Sequence, residues 1–477
     1  MSSKQGKTLE DSMGRVIIPH GAYYGISTQR AIENFPITNY RLHPELIIAL
    51  AKVKKAAALA NEQELERKKP GIFIHIVEAC DAIIDGYYHE HFVVDPIQGG
   101  AGTSINMNSN EVIANIALVG MGYEKCLDAV VSPYDHINMS QSTNDVIPTA
   151  ARICIRKLLD ELLLTMGEMI DIFDKKSTEF DTVVKMGRTH LQDAVPIRLG
   201  QEFNAYKRVL KRDMERISNT GKYLYEVNLG ATAVGTALNA NPDYIRDVIK
   251  HLRDITGFEE LKRSENLVDG TQNTDCFTEV SAALKICAIN ISKIANDLRM
   301  MASGPRCGLG EITLEKLQRG SSIMPDKTNP VLPELINQVA FQVIGNDLTV
   351  SLASEAGQFE LNVMQPVLIF NLIQSVSMLS KAFSVFGEKC VKKITVSEAN
   401  LKRIKSYVDE SPIISTALAP YIGYERAGAI ARVAREEGLT VLELCLQDEH
   451  MVNRLGGEES LRRILDPDAM TRMGENL

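Results

Sequence analysis

Residues 151–173 read ARICIRKLLDELLLTMGEMIDIF, and within them Ile155, Leu158, Leu159, Leu162, Met166, Met169, Ile170 and Phe173 recur every three or four positions. That spacing lays a single apolar stripe along about five helical turns at 3.6 residues each. Outward from there the same period resumes after residues 185–194 and runs to about residue 222. It returns from about Thr278 to Met301 and from Leu332 to Ser384, with a break near Gly357. From Leu335 to Leu352 the chain is apolar on most faces (Ile336, Val339, Ala340, Phe341, Val343, Ile344, Leu348), as expected of a helix enclosed by others.

Toward the N-terminus, Leu46, Ile47, Leu50, Val53 and Ala57 mark a helix from Pro44 to about Gln63, and a second runs from Gly71 to Asp85. The first forty residues, with Pro19, Gly21, Gly25 and Pro36, read as irregular. Beyond Val396 helices shorten between Pro412, Pro420, Gly423, Gly438 and Gly456. Few strand signals interrupt this, so an all-α fold is expected. Its parts would be a mainly helical domain over 1–142, a central bundle of long helices over 143–395 and a small helical domain over 396–477. So much apolar helix surface calls for packing against other copies of the chain.

With 477 residues, 45% apolar and 24% charged, the chain can bury a large core and has ordinary soluble composition. A net charge of −9 offers no basic footprint for nucleic acid or anionic lipid, so an anionic substrate would need a locally positive pocket. The start, Met1 to Lys7, has no apolar leader core, and no apolar run is long and charge-free enough to span a bilayer; a cytoplasmic protein is expected. Eight cysteines without a C-x-x-C pair suggest neither a disulfide framework nor a zinc site and read as small buried residues. His89-Glu90-His91 lacks further ligands at useful spacing and reads as a polar loop feature rather than a metal pair.

Four polar loops stand out against this scaffold. Residues 95–108 carry Gly99, Gly100 and Gly102, which let backbone approach a ligand, but with no strand beside them they are not a dinucleotide fingerprint. Residues 136–145 crowd Ser140, Ser142, Thr143 and Asn144 before Pro148; a helix cap accounts for one hydroxyl, not for the density. Residues 185–194 hold Arg188, Thr189 and His190. Residues 320–330, Gly-Ser-Ser-Ile-Met-Pro-Asp-Lys-Thr-Asn-Pro, lie between apolar helices; Gly320 frees the backbone while Pro325 and Pro330 stop any helix. Adjacent hydroxyls, a point cation and an amide are the groups needed to grip a carboxylate and remove a proton beside it.

That last string resembles the mobile catalytic loop of the aspartase/fumarase superfamily, usually GSSxMPxKxNP, and the resemblance extends from Ala22-Tyr23-Tyr24-Gly25 almost to the C-terminus. Residues 271–279 and 357–363 look more like the aspartase branch. The resemblance implies a homotetramer in which corresponding loops of three subunits meet in each site. The reaction implied is the reversible deamination of L-aspartate to fumarate and ammonia through an aci-carboxylate.

On the same resemblance, Ser321 matches the general base. Thr103, Ser142, Thr143 and Ser322 match the positions that bind the β-carboxylate, and Lys327 and Asn329 those that hold the α-carboxylate. Asn144, Thr189 and His190 match positions around the leaving group and the α-carbon, His190 as a substrate-orienting residue and Glu334 as the carboxylate that partners it. No organic cofactor and no metal are implied, and activation by a divalent metal is left open. Asp326 and Thr328 depart from the usual Gly or Ala and Val. Asp326 reads either as a turn residue on the outer face of the lid or as a carboxylate that favours a different amine. A fumarate hydratase or a sibling lyase acting on another amine is the alternative. A silent scaffold has no reason to keep Ser321, Lys327, Asn329, Thr189 and His190.

Overall fold

The computed structural model describes residues 6–472; Met1 to Gln5, part of the stretch read above for its lack of a leader, lie outside them. Helices dominate, as expected. In chain order the main elements are β1 (Lys7–Asp11), β2 (Gly14–Ile18), α1 (Ile26–Asn34), α2 (Pro44–Ala60), α3 (Glu62–Lys68), α4 (Ile72–Ile84), α5 (Thr103–Gly120) and α6 (Thr143–Glu179). There follow β3 (Val184–Thr189), β4 (Gln192–Arg198), α7 (Leu199–Thr220), α8 (Pro242–Thr256), α9 (Leu267–Gln272), α10 (Asp275–Met301), α11 (Val331–Glu355), α12 (Gln365–Lys389) and α13 (Glu398–Glu410). Short helices fill the rest up to Thr471.

Two segments differ from the sequence expectation. The first forty residues are not irregular: β1 and β2 pair antiparallel, and α1 follows. Its amino end is capped across sequence by the buried Glu111 carboxylate, which accepts N–H bonds from Gly25, Ser27 and Thr28. A β-carbon at Gly25 would lie 2.9 Å from that carboxylate, which is why this position is glycine. The polar loop at 185–194 is instead the β3–β4 hairpin, whose two residues of turn leave no room for a helical signal.

The chain divides into two compact units, one of residues 1–164, 215–288 and 341–380, the other of residues 165–214, 289–340 and 381–477. This cut differs from three consecutive domains because α6, α7, α10, α11 and α12 each contribute residues to both units. In the first unit α2, entered through His43 and Pro44, buries Leu46, Leu50, Val53 and Ala57, the stripe read from the sequence. The two branch-like stretches meet there: Asn362 donates to Thr274 at 3.3 Å and to the Ala353 carbonyl at 2.9 Å, a packing role. In the second unit Phe203 packs tilted or edge-on against Phe173, Phe180 and Tyr206 at ring distances of 5.2 to 5.9 Å, and the last sixty residues close around Leu418, Ala434, Cys445 and Leu461.

Three further expectations need adjusting. On α11, Ile336, Ala340 and Val343 are buried, but Phe341, Leu348 and Leu352 are 64%, 62% and 61% exposed, so the chain alone does not enclose this helix. Gln365–Lys393 is long and apolar enough to cross a bilayer, contrary to the sequence reading. Half of it is buried, however, and Gln374 and Ser375 accept bonds from Asn346 at 2.9 and 3.0 Å, which marks a core helix. Six cysteines are buried as expected; Cys126 is half-buried and Cys307 exposed.

Candidate active site

The first unit carries Thr103, Ser142, Thr143 and Asn144 at two helix N-termini. Gly100, Ala101 and Gly102 all have positive φ (86°, 58°, 90°), bending the chain sharply into α5, and a β-carbon at Gly102 would press on Ile147 at 3.2 Å. Exposed Thr103 opens α5, its hydroxyl donating to the Gly100 carbonyl at 2.8 Å. At the start of α6, Ser142 Oγ accepts the Asn144 N–H (3.2 Å) while Asp145 Oδ1 accepts the Ser142 N–H (2.9 Å), a reciprocal cap. Ser142 therefore does cap a helix. One turn into α5, Asn106 Nδ2 donates to Thr143 Oγ1 at 3.3 Å and ties the two helix starts together. Both positive dipole ends thus lie beside hydroxyl donors, a ready arrangement for an anion.

Below this surface lie two buried ionisable groups. Asp145 is fully buried, and its second oxygen accepts the N–H groups of Gly230 (3.1 Å) and Thr232 (3.0 Å). Burial pushes its carboxyl up to about 6, against the pull of those N–H bonds and of Lys54. Lys54, 1% exposed, is pushed down to about 7 by burial, partly offset by Asp145. Its ammonium donates to Asn138 Oδ1 at 3.1 Å and Gln141 Oε1 at 2.9 Å.

The second unit carries the other candidates on a hairpin and a loop. Thr189 and His190 stand exposed at the tip of β3–β4, where His190 and Leu191 both take positive φ (56° and 60°), a strained conformation for such side chains. The stem is fixed from below. The fully buried Glu311 carboxylate meets Arg188 Nη1 at 2.6 Å and Lys185 Nζ at 2.7 Å, and Lys185 also reaches Glu202. Arg188 lies 5.5 Å over the Tyr407 ring, and Asp193 accepts from Ser411 at 2.9 Å.

The loop at 320–330 is cinched at its neck. Gly320 N–H donates to the Lys327 carbonyl at 2.7 Å, and Asn329 Nδ2 to the Gly320 carbonyl at 2.9 Å. A β-carbon at Gly320 would sit 2.7 Å from the Lys327 oxygen, so only glycine closes this neck. Inside the turn Ser321 Oγ accepts the N–H groups of Ile323 (3.2 Å) and Met324 (3.0 Å). Ser321, Ser322 and Lys327 line a cleft of about 640 Å³ together with Lys316, Arg319 and Asp326. Asp326 has φ 63°, a left-handed conformation that Asp tolerates better than most residues, and its exposed carboxylate lies 3.4 Å from Lys316.

Within one chain, then, the first unit gathers the hydroxyls and the second holds the serine loop, the lysine and the hairpin. His190 and Glu334 are not paired here: Glu334, in the first turn of α11, faces Arg299 at 3.9 Å. The sequence reading missed Lys54, Asp145 and the Glu311 cluster. Lys54 had a legible signal, a lysine on the apolar stripe of α2 between Leu50 and Ala57; Glu311 had none, being distant in sequence from Lys185 and Arg188. Among the described residues no group of three or more His, Cys, Asp or Glu is placed to hold a metal; His89 bonds the Ile83 carbonyl instead.

Two family models match the chain, one described as "Lyase" over residues 14–345 and one as "Fumarase C C-terminus" over 414–472. The aspartate ammonia-lyase of Bacillus subtilis is 58% identical over 471 residues, covering 99% of this chain and 97% of its own. That of Helicobacter pylori is 47% identical over 462 residues, covering 96% and 97%. Among solved structures, a fumarate lyase from Brucella melitensis superposes with a TM-score of 0.91 at 46% identity, covering 98% of this chain and 99% of that one. A class II fumarase from Schistosoma mansoni superposes with a TM-score of 0.89 at 31% identity, with coverage of 98% and 99%.

Proposed function

Because this chain belongs, along nearly its whole length, to the lyase family that holds the aspartate ammonia-lyases and the class II fumarases, we propose that it deaminates L-aspartate reversibly to fumarate and ammonia. It is a carbon–nitrogen lyase. The proton beside the β-carboxylate is a very weak acid, so the site must stabilise the dianionic aci-carboxylate left when that proton departs. Ser321 takes the proton, the electron pair moves into the carboxylate, and it returns to form the double bond as the C–N bond breaks and ammonia leaves.

One observation carries this assignment. A serine alkoxide is too basic to form unaided, and Ser321 Oγ already accepts two backbone N–H groups that would stabilise its negative charge. Thr103, Ser142, Thr143 and Ser322 then serve the β-carboxylate, Lys327 and Asn329 the α-carboxylate, and Asn144, Thr189 and His190 the amine side. The split of these residues over two units, and the uncovered Phe341, Leu348 and Leu352 on α11, support a homotetramer whose sites draw on three subunits. In that assembly Glu334 would reach a neighbour's His190 and fix its tautomer. The reading calls for no organic cofactor and no metal. Eight cysteines with no disulfide among the described residues suit a reducing cytoplasm.

Ultraviolet absorbance of the conjugated diacid decides the matter. Appearance of fumarate from L-aspartate, with no turnover of L-malate, is the expected result. Turnover of malate alone would make the protein a hydratase, and turnover of neither would defeat the proposal.

A further inference from the structure

Lys54 occupies a position on α2 that its neighbours reserve for apolar side chains. Its ammonium is buried, has no carboxylate within ion-pairing distance among the described residues, and is held by two side-chain amide oxygens, those of Asn138 and Gln141. A buried cation with only neutral acceptors is costly, and such groups persist where they do something. What this one does can be followed atom by atom.

Asn138 Oδ1 accepts from Lys54 (3.1 Å) and also from Asn106 Nδ2 (3.1 Å) and Asn110 Nδ2 (3.1 Å). The Lys54 donor, with Asn110 beside it, therefore fixes which end of the Asn138 amide faces inward, and its NH₂ turns to the Gln141 carbonyl at 3.2 Å. With that oxygen in place, Asn106 presents its NH₂ both to Asn138 and to Thr143 Oγ1 at 3.3 Å. One lone pair of Thr143 Oγ1 is then occupied from below, so its hydroxyl hydrogen is left to point outward. Among the described residues the titratable groups around this line are Asp145 at the start of α6 and the Cys80 thiol of α4, with Tyr244 of α8 beyond Asp145, and burial keeps the thiol and the phenol neutral.

We propose that Lys54 is a positioning residue of the anion pocket, which sets the polarity of the Asn138–Asn106 chain so that Thr143 acts as a hydrogen-bond donor to the substrate carboxylate. The inference rests on the assignment of Thr143 to that pocket. Without the Lys54 donor the Asn138 oxygen keeps only amide donors that can themselves turn, so Asn138 and Asn106 can reverse and Thr143 can spend its hydrogen on an amide oxygen instead of the substrate.

The test is a double-mutant cycle on the purified full-length enzyme, with Lys54→Met and Thr143→Val, read as kcat and KM for L-aspartate. Lys54→Met is expected to lower kcat/KM at least tenfold in the parent and less than twofold in the Thr143→Val background. Equal effects in both backgrounds, or full activity of Lys54→Met, overturn the inference. A purely structural role would lower both backgrounds alike. Asn106→Leu, which removes the donor without burying or removing a charge, runs as an independent arm of the cycle with the same expected non-additivity, and additivity there overturns the inference even where Lys54→Met is poorly folded. Failure of the parent enzyme on L-aspartate, or an unaltered Thr143→Val, would instead defeat the functional reading beneath it.

Discussion

Ser321 Oγ accepts the Met324 backbone N–H at 3.0 Å, so the loop folds its own peptide groups onto the hydroxyl that must become a base. Because the loop is exposed and packs on little else, removing that oxygen costs the fold almost nothing. Ser321→Ala is therefore expected to lower kcat for deamination by about 10² to 10⁴ while leaving the thermal unfolding midpoint where it was. A variant with parental kcat would dismiss Ser321 as the base.

Asp326 is a turn residue before it is a charge. Its φ of 63° suits glycine best and Asn or Asp next, and its carboxylate points to solvent beside Lys316. Asp326→Gly should leave turnover of L-aspartate within about twofold, since the left-handed turn costs glycine nothing. Asp326→Val should slow it much more, because a β-branched side chain resists that conformation. Equal rates for the two variants would remove the backbone explanation and return the carboxylate to consideration as a specificity group.

The Glu311 carboxylate bridges Lys185 and Arg188, at 2.7 and 2.6 Å, and it is wholly buried. Glu311→Leu leaves Arg188 without its carboxylate and Lys185, 3% exposed, with Glu202 alone, and breaking a buried pair this way costs about 3–5 kcal/mol. Urea denaturation should show a lowered midpoint. Activity should fall further than stability explains, because Arg188 leads directly into Thr189 and His190. Unchanged activity in the folded variant would show that the hairpin tip holds its shape without this anchor.

The sequence disclosed what depends on period and on local motif. The stripes of α2, α6 and α12 come from side chains three and four apart on one helix, and the 320–330 loop announces itself by glycine, proline and serine at fixed offsets. It did not disclose the β3–β4 hairpin, because its strands alternate polar and apolar residues weakly and turn through His190-Leu191 rather than through Asn-Gly. Nor did it pair Asp145 with residues 230–232 or Glu311 with Arg188, contacts over eighty residues apart that no local pattern encodes. Lys54 was visible but passed over, since a lysine among alanines on a helix usually snorkels to water.

The buried pair gives the stability of the first unit a particular dependence on pH. Lys54 is held near 7 in the folded chain against an ordinary 10.5, so between those values the unfolded chain keeps a proton that the folded one has released, and stability climbs as pH rises. Asp145 is held near 6 against 3.8, so between those values the folded chain keeps a proton the unfolded one lacks, and stability climbs as pH falls. The contribution of the pair is accordingly smallest between about 6 and 7. Lys54→Met replaces the buried cation by an apolar chain of similar length and removes the alkaline limb. It should unfold at a higher temperature than the parent near pH 6.5, with the gap narrowing by pH 9 to 10 as the parental lysine loses its proton. Differential scanning calorimetry across that range measures the gap directly, and a difference that stays constant with pH would mean that Lys54 carries the same charge folded and unfolded.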